Sequence, residues 1–280
     1  MKTDYEKKVD FAIKLLRAIP QDTEIELAYS TGKDSDVILQ LAKEAGIPFR
    51  AIYKNTSIDP IGSIQHAKEK GVEIRNPKMT FFEIVAQKGI PNRRARFCCE
   101  ILKEYKICDR VITGVRRSES LARMKRYKEP EICRVYNSKE KARLYMPILE
   151  WTDADVERFI RERQIKCHPL YYDEEGNFHV ERRLGCIGCP LTSNRLKELK
   201  QYPKFVKQLI IAKQKHFDTH SYTKGYAAFN GNAYDYVFFD LFCGNYKKYK
   251  DMTGGGIFGD ETAIDAKAYL EDYFGIDLTL

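Results

Sequence analysis

A short polar loop after an apolar stretch carries the first residues that could do chemistry. The loop follows residues 24–29 and reads Ser30-Thr31-Gly32-Lys33-Asp34-Ser35. Gly32 permits a tight turn in which backbone N–H groups converge on an anion, and the start of the next helix adds the positive end of its dipole. Lys33 supplies a positive charge, the two serines supply hydroxyls, and Asp34 is a candidate Mg²⁺ ligand. The pattern differs from Walker A, so we predict a phosphate-binding loop of another kind. The alternative is an ordinary polar turn between a strand and a helix.

Two close pairs of cysteines are the second chemical feature. The chain has eight cysteines, of which Cys98 and Cys99 are adjacent while Cys186 and Cys189 form a Cys-x-x-Cys turn. A chain of this size without an export signal is expected to keep its thiols reduced, as metal ligands or catalytic groups. One Cys-x-x-Cys alone is also typical of redox pairs and half zinc sites. Two pairs together predict a four-thiolate site.

The adjacency of Cys98 and Cys99 bears on the choice of metal. Tetrahedral zinc holds its sulfurs only about 3.8 Å apart, with Zn–S bonds of ~2.3 Å. Neighbouring side chains on a helix diverge by about 100°, which makes one shared zinc ion awkward. A [4Fe–4S] cluster has four separate iron corners and takes four cysteine ligands. We therefore favour a [4Fe–4S] cluster, with zinc and free or redox-active thiols as the alternatives.

A basic segment near the middle of the chain could bind a second anionic group. Arg116, Arg117 and Arg123 follow the apolar segment 110–115. Arginine holds phosphate or sulfate through paired N–H donors. A solvated basic turn is the alternative interpretation.

The pattern of apolar residues along the chain indicates which helices and strands position these residues. We predict helices over 5–18, 60–70, 80–88 and 97–106, a helix after the polar loop, and strands over 24–29, 49–53, 72–74 and 110–115. Such alternation is typical of a mostly parallel sheet with helices on both faces. Ligands of these sheets bind beyond the carboxyl ends of the strands, where the polar loop and the basic segment would both lie. Thr152 is the predicted N-cap of a further helix.

Composition and charge limit the classes of protein that remain. Of the 280 residues, 43% are hydrophobic and 31% charged, which is typical of a globular chain. The N-terminus is charged and has no apolar signal segment, so we expect a cytoplasmic protein without membrane spans. The net charge of +8 suits a phosphate-bearing partner such as a nucleotide or a nucleic acid.

The polar loop resembles the PP-loop, Ser-x-Gly-x-Asp-Ser, of the ATP pyrophosphatase superfamily, and matches all of its fixed positions. The cysteine pattern is similar to the cluster motif of adenylylsulfate (APS) reductases, which belong to the phosphoadenylylsulfate (PAPS) reductase family. Further segments resemble motifs of that family: Phe97–Lys103, Thr113–Arg123, Pro147–Val156 and His168–Tyr171. The resemblance covers about residues 24–191.

The resemblance implies an α/β fold of the PP-loop (adenine nucleotide alpha hydrolase-like) type, a parallel sheet flanked by helices. It implies a nucleotide-binding domain over 1–191 that includes the cluster cysteines. The residue pattern after the second cysteine pair, rich in Lys, Tyr and Phe, predicts a mainly helical C-terminal extension over 192–280. The resemblance also implies that Lys33, Asp34 and Arg116 are catalytic. The nucleotide would be bound by these three and by Ser30, Thr31, Gly32, Ser35, Asn55, Thr56, Gly114 and Arg123.

The chain also departs from the reductases in that family. Their C-terminal Glu-Cys-Gly-Leu-His motif, whose cysteine attacks the sulfonucleotide, has only a weak echo at Cys243-Gly244. The loop keeps Lys33-Asp34-Ser35, an ending that reductases usually lack and ATP-binding members have. Asn55 and Ser57 replace the Asp and Gly of the family's Asp-Thr-Gly segment.

Three functions follow as hypotheses. The first is an ATP-using enzyme that releases AMP and pyrophosphate during sulfur transfer, with a cysteine desulfurase as partner and a nucleic acid as a candidate acceptor. The second is a sulfonucleotide reductase that makes sulfite from APS or PAPS with thioredoxin. The third is a non-enzymatic, cluster-bearing subunit that binds nucleic acid, for which the run Arg93–Arg96 is the basic segment. The sequence leaves the oligomeric state open, a homo-oligomer included.

Overall fold

The computed structural model describes residues 2–136, 140–254 and 263–279. Contacts divide the chain into two compact units. The sheet unit comprises Met1–Pro77 and Glu100–Gly185, and the helical unit comprises Lys78–Cys99 and Cys186–Leu280. Each unit therefore contains two segments of the chain, and we describe each by itself.

A six-stranded sheet is the centre of the sheet unit. Its strands are β1 Ile25–Tyr29, β2 Arg50–Lys54, β3 Glu73–Arg75, β4 Arg110–Ile112, β5 Glu131–Val135 and β6 Lys141–Tyr145. They lie in the order β3-β2-β1-β4-β6-β5. All neighbours are parallel except β5 and β6. The chain order changes direction between β1 and β4, and in parallel sheets such a switch point opens a crevice at the carboxyl ends of the strands.

The helices differ in length, and the long ones provide most of the packing. In chain order they are α1 Asp4–Arg17, α2 Lys33–Ala45, α3 Ser63–Glu69, α4 Phe81–Lys88, α5 Phe97–Leu102, α6 Leu121–Arg126, α7 Asp153–Glu162, α8 Arg195–Gln201, α9 Pro203–Thr219, α10 Lys224–Ala228, α11 Ala233–Phe238, α12 Tyr246–Met252 and α13 Ala266–Phe274. The predicted cap is confirmed, since the Thr152 hydroxyl accepts a hydrogen bond from the backbone N–H of Asp155. Helices α1, α2 and α7 belong to the sheet unit, where α2 contacts both of the others.

The hydrophobic core of the sheet unit joins β1 to these three helices. Leu27 of β1, Leu16 of α1 and Leu41 of α2 are fully buried in it. The single tryptophan, Trp151, packs its ring 5.3 Å from that of Phe159 on α7. This packing fixes β1 against α2, and the polar loop is the segment that connects them.

The predicted α/β class is confirmed, with differences in detail. The hairpin of β5 and β6 was not expected from the sequence, and it adds an antiparallel edge to the sheet. Strand β4 ends at Ile112, and helix α5 ends at Leu102. Both elements are therefore shorter than the predicted ranges 110–115 and 97–106.

The helical unit contains α4 as well as the helices after residue 194. The rings of Phe81 and Phe82 on α4 lie 5.9 Å and 5.2 Å from that of Phe205 on α9. The structure thus divides the chain differently from the proposed boundary at residue 191, because α4 buries its apolar face on α9. Among the described residues, no helix combines the length and apolar character needed to cross a membrane.

Candidate functional site

The polar loop is a tight connection between β1 and α2 in the sheet unit. Gly32 is the N-cap residue of α2 and brings no side chain to cap the helix start. The N–H of Lys33 donates a hydrogen bond to the Tyr171 hydroxyl at 3.1 Å. Thr31 is buried and has a φ of 62°, a left-handed conformation that is unusual for a β-branched residue. Strained backbone of this kind is concentrated at binding and catalytic sites.

Lys33 is held with its ammonium group inside the site. The residue is only 3% exposed. Its Nζ lies 3.4 Å from Oδ2 of Asp34 and 3.5 Å from the carbonyl oxygen of Arg182. These contacts fix a positive charge beside the start of α2, where the helix dipole also favours an anion.

Asp34 is positioned by a buried arginine. Arg116 is 2% exposed, and its Nε lies 2.6 Å from Oδ1 of Asp34. Its Nη2 lies 2.7 Å from Oδ1 of Asp153, and its Nη1 donates to the Ser118 hydroxyl at 2.9 Å. The guanidinium predicted to contact phosphate is therefore engaged by two carboxylates. Its geometry is that of a residue that orients Asp34.

Gly114, after β4, lies directly against the loop. A Cβ atom built on Gly114 would stand 3.0 Å from the backbone oxygen of Asp34 and 3.3 Å from its Cβ. A side chain at residue 114 would therefore push against the start of α2. This close approach gives a physical reason for glycine in the predicted Thr113–Arg123 segment.

A cavity of about 430 Å³ in the sheet unit begins at the loop. Its size is in the range of small-ligand sites. It gathers these residues predicted to bind nucleotide: Ser30, Gly32, Lys33, Asp34, Ser35, Gly114 and Arg123. Sequence reasoning also missed several other lining residues, four of which are Lys54, Lys103, Tyr171 and Arg183. Each has a cation or hydroxyl that can contact an anion, so the cavity suits a ligand with several phosphate or sulfate groups.

Arg123 and Arg183 are both placed by Glu119. The guanidinium of Arg123 forms an ion pair with the Glu119 carboxylate, and Arg183 donates to the backbone oxygen of Glu119 at 2.8 Å. Burial lowers the pKa of Arg123 from its ordinary value, and a guanidinium remains charged after such a shift. Two arginines thus share one anchor on the wall of the cavity.

A buried carboxylate lines the cavity on β1. Glu26 is 1% exposed, and its Oε1 lies 3.0 Å from Nζ of Lys54. That contact lacks the angle of a hydrogen bond, and neither carboxylate oxygen accepts one from the described residues. Lys54 donates instead to the carbonyl oxygen of Tyr105 at 2.8 Å. A glutamate inside an otherwise apolar strand is the sequence feature that could have identified Glu26 as a candidate site residue.

Asn55 and Thr56 lie beside this cavity rather than among its lining residues. Asn55 donates from Nδ2 to Oδ1 of Asn76 at 3.0 Å. It lines a second cavity, of about 390 Å³, which shares Tyr53 with the first. Thr56 is buried, and its N–H donates to Oδ2 of Asp59 at 2.9 Å. Their predicted role in nucleotide binding stays a prediction.

The four paired cysteines all belong to the helical unit. Cys98 and Cys99 lie on α5, and the N–H of Cys189 donates to the carbonyl oxygen of Cys186 at 3.2 Å. A hydrogen bond with Cys99, burial and the nearby Cys186 thiol together raise the pKa of Cys98. Cys99 and Cys186 therefore lie close enough to the Cys98 thiol to influence it.

The chain segments that carry the two cysteine pairs are tied together. Arg93 donates from Nε to the carbonyl oxygen of Pro190 at 2.9 Å, directly after Cys189. In the part of the chain that the structure describes, no group of three or more His, Cys, Asp or Glu side chains is arranged to hold a metal ion. The predicted [4Fe–4S] site thus stays a prediction.

Cys243, the echo of the reductase cysteine, lies in a different setting. It is 7% exposed at the end of a π-helical turn, and burial raises the pKa of its thiol. Its Sγ is 4.0 Å from the sulfur of Met252. A nucleophilic cysteine works as the thiolate, which this apolar setting disfavours.

The sheet order and the loop together define an α/β protein with a cavity at the loop that follows its central strand, lined by several lysines and arginines. Comparison with protein-family models gives a match to the phosphoadenosine phosphosulfate reductase domain over residues 24–192. The match covers more than half of the chain, and the chain belongs to this family. The family predicted from the motifs is thereby confirmed.

Curated relatives carry a different name within the same family. A sulfate adenylyltransferase subunit 2 from Pseudoalteromonas translucida is 28% identical over 200 residues, covering 59% of this chain and 66% of the relative. Its counterpart from Aliarcobacter butzleri is 27% identical over 180 residues, covering 52% of this chain and 59% of the relative. The chain thus spans about three fifths of the length of these relatives.

Solved structures give only distant similarity. FMN adenylyltransferase from Candida glabrata superimposes with a TM-score of 0.44 at 15% identity, covering 67% of this chain and 65% of that one. PAPS reductase from Candida auris gives a TM-score of 0.43 at 15% identity, covering 64% of this chain and 97% of that one.

Proposed function

We propose that the chain is an ATP-using enzyme that cleaves ATP between its α- and β-phosphates and activates an acceptor for sulfur transfer. The observation that carries this proposal is the gathering of the loop residues with the cations of the cavity wall, Lys33, Lys54, Lys103, Arg123 and Arg183. A polyphosphate is the ligand whose charge best complements this lining. The relatives' name, sulfate adenylyltransferase, also describes transfer of an adenylyl group.

The chemistry is an in-line displacement at the α-phosphorus. An oxygen of the acceptor forms a bond to this phosphorus, and the bond to the oxygen that bridges to the β-phosphate breaks. Pyrophosphate leaves with the electron pair of that bond. The outer sulfur of a persulfide, carried by a partner such as a cysteine desulfurase, then attacks the activated atom and displaces AMP. A dithiol reduces the resulting disulfide, which frees the partner's thiol and leaves the sulfur on the acceptor.

The residues have separate parts in this step. Lys33 and the N–H groups at the start of α2 neutralise charge on the departing pyrophosphate. Asp34, oriented by Arg116, would hold Mg²⁺, which when bound would offset further phosphate charge. Arg123 and Arg183 would bind the non-bridging oxygens on the cavity wall.

The four cysteines fit a [4Fe–4S] cluster by the chemistry of their donor atoms. All four are thiols, the ligands that such clusters take. Cys99 and Cys186 both act on the Cys98 thiol, and the hydrogen bond from Arg93 to the carbonyl oxygen of Pro190 ties the segment of Cys189 to the segment of Cys98. When bound, the cluster would supply an electron-transfer or electrostatic group. Visible absorption and iron analysis of protein purified without oxygen test this assignment.

A sulfonucleotide reductase is the second candidate, supported by the family itself. That reaction needs a cysteine thiolate to attack sulfur, and the setting of Cys243 disfavours one. The Lys33-Asp34-Ser35 ending of the loop and the setting of Cys243 therefore both favour ATP over a sulfonucleotide as the substrate. A partner subunit is a further proposal, prompted by the words "subunit 2" in the relatives' name.

Product analysis separates the candidates. The anaerobically purified protein is given ATP, APS or PAPS with Mg²⁺ and a dithiol, and products are read by mass spectrometry. AMP and pyrophosphate from ATP, without sulfite from the sulfonucleotides, are expected. Sulfite from APS or PAPS with ATP intact would establish the reductase instead. Nucleic-acid binding without turnover of any nucleotide would support the non-enzymatic subunit.

A further inference from the structure

A second large concave surface lies entirely within the helical unit. This basic groove has a volume of about 1040 Å³. Its walls come from three parts of the unit: residues 92–94; Pro190, residues 192–197 and Lys200; and Asp240, Leu241, Gly244 and Tyr273. The first two segments flank the cysteine pairs in sequence, because residue 94 precedes Cys98 and residue 190 follows Cys189. The groove is larger than most sites for a single small ligand, which span roughly 300–1,000 Å³.

The groove carries a strong excess of positive charge. Arg93, Arg94, Lys197 and Lys200 line it and are exposed. A fifth cation, Arg195, lies 2.8 Å from Asp240, the single acidic residue among the described lining residues. The pair neutralises itself, so the four exposed cations dominate the potential. Cations gathered in a concave surface attract polyanions from solution.

Four of the remaining lining residues, Asn92 and the run 192–194, are polar. Thr192, Ser193 and Asn194 offer hydroxyl and amide groups that can donate hydrogen bonds to phosphate oxygens. The Tyr273 ring is covered by the ammonium group of Lys200, 4.0 Å from the ring centroid. This face therefore offers a ligand positive charge and hydrogen-bond donors, together with the apolar surface of Leu196 and Leu241.

We propose that the basic groove binds the phosphodiester backbone of a nucleic acid. A chain of phosphates spaced along a strand matches an extended groove with several separate cations. Such a nucleic acid would be the acceptor in the proposed sulfur transfer, and that role rests on the proposed function. Binding in the groove does not rest on it, because the groove and the phosphate-loop cavity belong to different units.

The test measures binding to a fluorescent oligonucleotide of about 20 nucleotides, single-stranded or duplex, by anisotropy between about 50 and 200 mM salt. The groove variant is K197E with K200E in the full chain. The control variant is K14E with K68E, two exposed lysines of the sheet unit that give the same change in net charge. Circular dichroism confirms that both variants fold.

We expect the groove variant to weaken binding at least about tenfold and to lower the salt slope by about two, while the control stays within about threefold of the parent. Equal losses in both variants, or no binding by the parent chain, would overturn the proposal. So would displacement of the oligonucleotide by a polyglutamate peptide of equal charge, which would point to an acidic protein partner. Nucleotide cleavage is measured in the same samples. A chain that cleaves ATP without binding the oligonucleotide would contradict the groove proposal alone and leave the proposed reaction standing.

Discussion

The phosphate-loop cavity and the four-cysteine region differ in how firmly neighbouring residues hold their functional side chains. In the cavity, Lys33 and Asp34 are fixed by neighbours, and Arg116 is buried between two carboxylates. In the cysteine region, neighbouring thiols raise the pKa of Cys98, so the thiolate form is disfavoured until another group stabilises it. The comparison indicates that the cavity is preorganised by the fold, while the cysteines would act together only through the proposed cluster.

The largest expected effect is in the preorganised cavity. Replacing Lys33 by alanine removes the charge that we propose stabilises the leaving pyrophosphate. We expect the rate of AMP formation from ATP to fall by about 10²–10³. Lys43→Ala changes an exposed lysine on the same helix and should leave the rate within about twofold. If the two variants were equally active, Lys33 would have no part in the reaction.

Arg116→Met tests whether the cavity depends on its buried ion pairs. The change leaves the Asp34 and Asp153 carboxylates without their shared partner, and we expect a loss of about 3 kcal/mol in the free energy of unfolding. Asp34 loses its orientation, so the rate of AMP formation should fall by about 10-fold to 100-fold. Denaturant unfolding and steady-state assays measure the two effects.

Arg161→Met is the matched control for that variant, since Arg161 pairs with Glu157 on the surface of α7. Its loss should be below about 0.5 kcal/mol. A variant at residue 116 with parent-like stability and rate would contradict the positioning role of Arg116.

Gly114→Ala probes the close approach of β4 to the loop. The added Cβ would meet the Asp34 backbone at 3.0 Å, so the start of α2 must shift. We expect about a tenfold lower rate with stability reduced by about 1 kcal/mol. Gly185→Ala is the control, because a Cβ there meets nothing within 4 Å. Similar rates for both alanine variants would show that the approach is not needed for turnover.

His168 gives the sheet unit a pH dependence of stability. Burial is the main cause that lowers its pKa from 6.5 in the folded chain, and His66 adds to the shift. The unfolded chain therefore binds the proton more readily, and this contribution to stability is complete above about pH 6.5 and declines as pH falls through that value. His168→Asn should flatten the decline in melting temperature between about pH 7 and pH 5. An unchanged pH profile would assign the decline to other groups.

The smallest effect is expected at Cys243 in the helical unit. Cys243→Ser should leave the rate of AMP formation within about twofold, because its buried thiol is not set up to act as a nucleophile. Cys133→Ser, at an exposed cysteine, is the control. Loss of sulfite release from APS or PAPS on changing Cys243 alone would reverse this conclusion.

Local patterns were sufficient to predict the strands β1, β2 and β4 and the loop after β1, because apolar runs and glycine act over a few residues. The partners of the loop could not be predicted. Arg116 contacts Asp34, which lies 82 positions away in the chain. The sequence around an arginine does not show whether its guanidinium binds a phosphate or a carboxylate. Glu26 and Lys54 come together only through the pairing of β1 with β2.

The division of the chain into two units could not be predicted from the sequence either. Helix α4 has an ordinary amphipathic pattern, and nothing in it indicates that its partner is α9, more than one hundred positions later. The hairpin of β5 and β6 was missed although Lys141–Tyr145 alternates polar and apolar residues, a pattern typical of a half-buried strand.

The most direct test of the proposed reaction is the ratio of pyrophosphate to orthophosphate released from ATP. The parent chain, with Mg²⁺ and without oxygen, is compared with Lys33→Ala, and water serves as the acceptor when no other is present. We predict equal amounts of AMP and pyrophosphate from the parent chain and a strong reduction of both in the variant. Release of ADP and orthophosphate, or turnover that survives the loss of Lys33, would contradict cleavage at the α-phosphate by this loop.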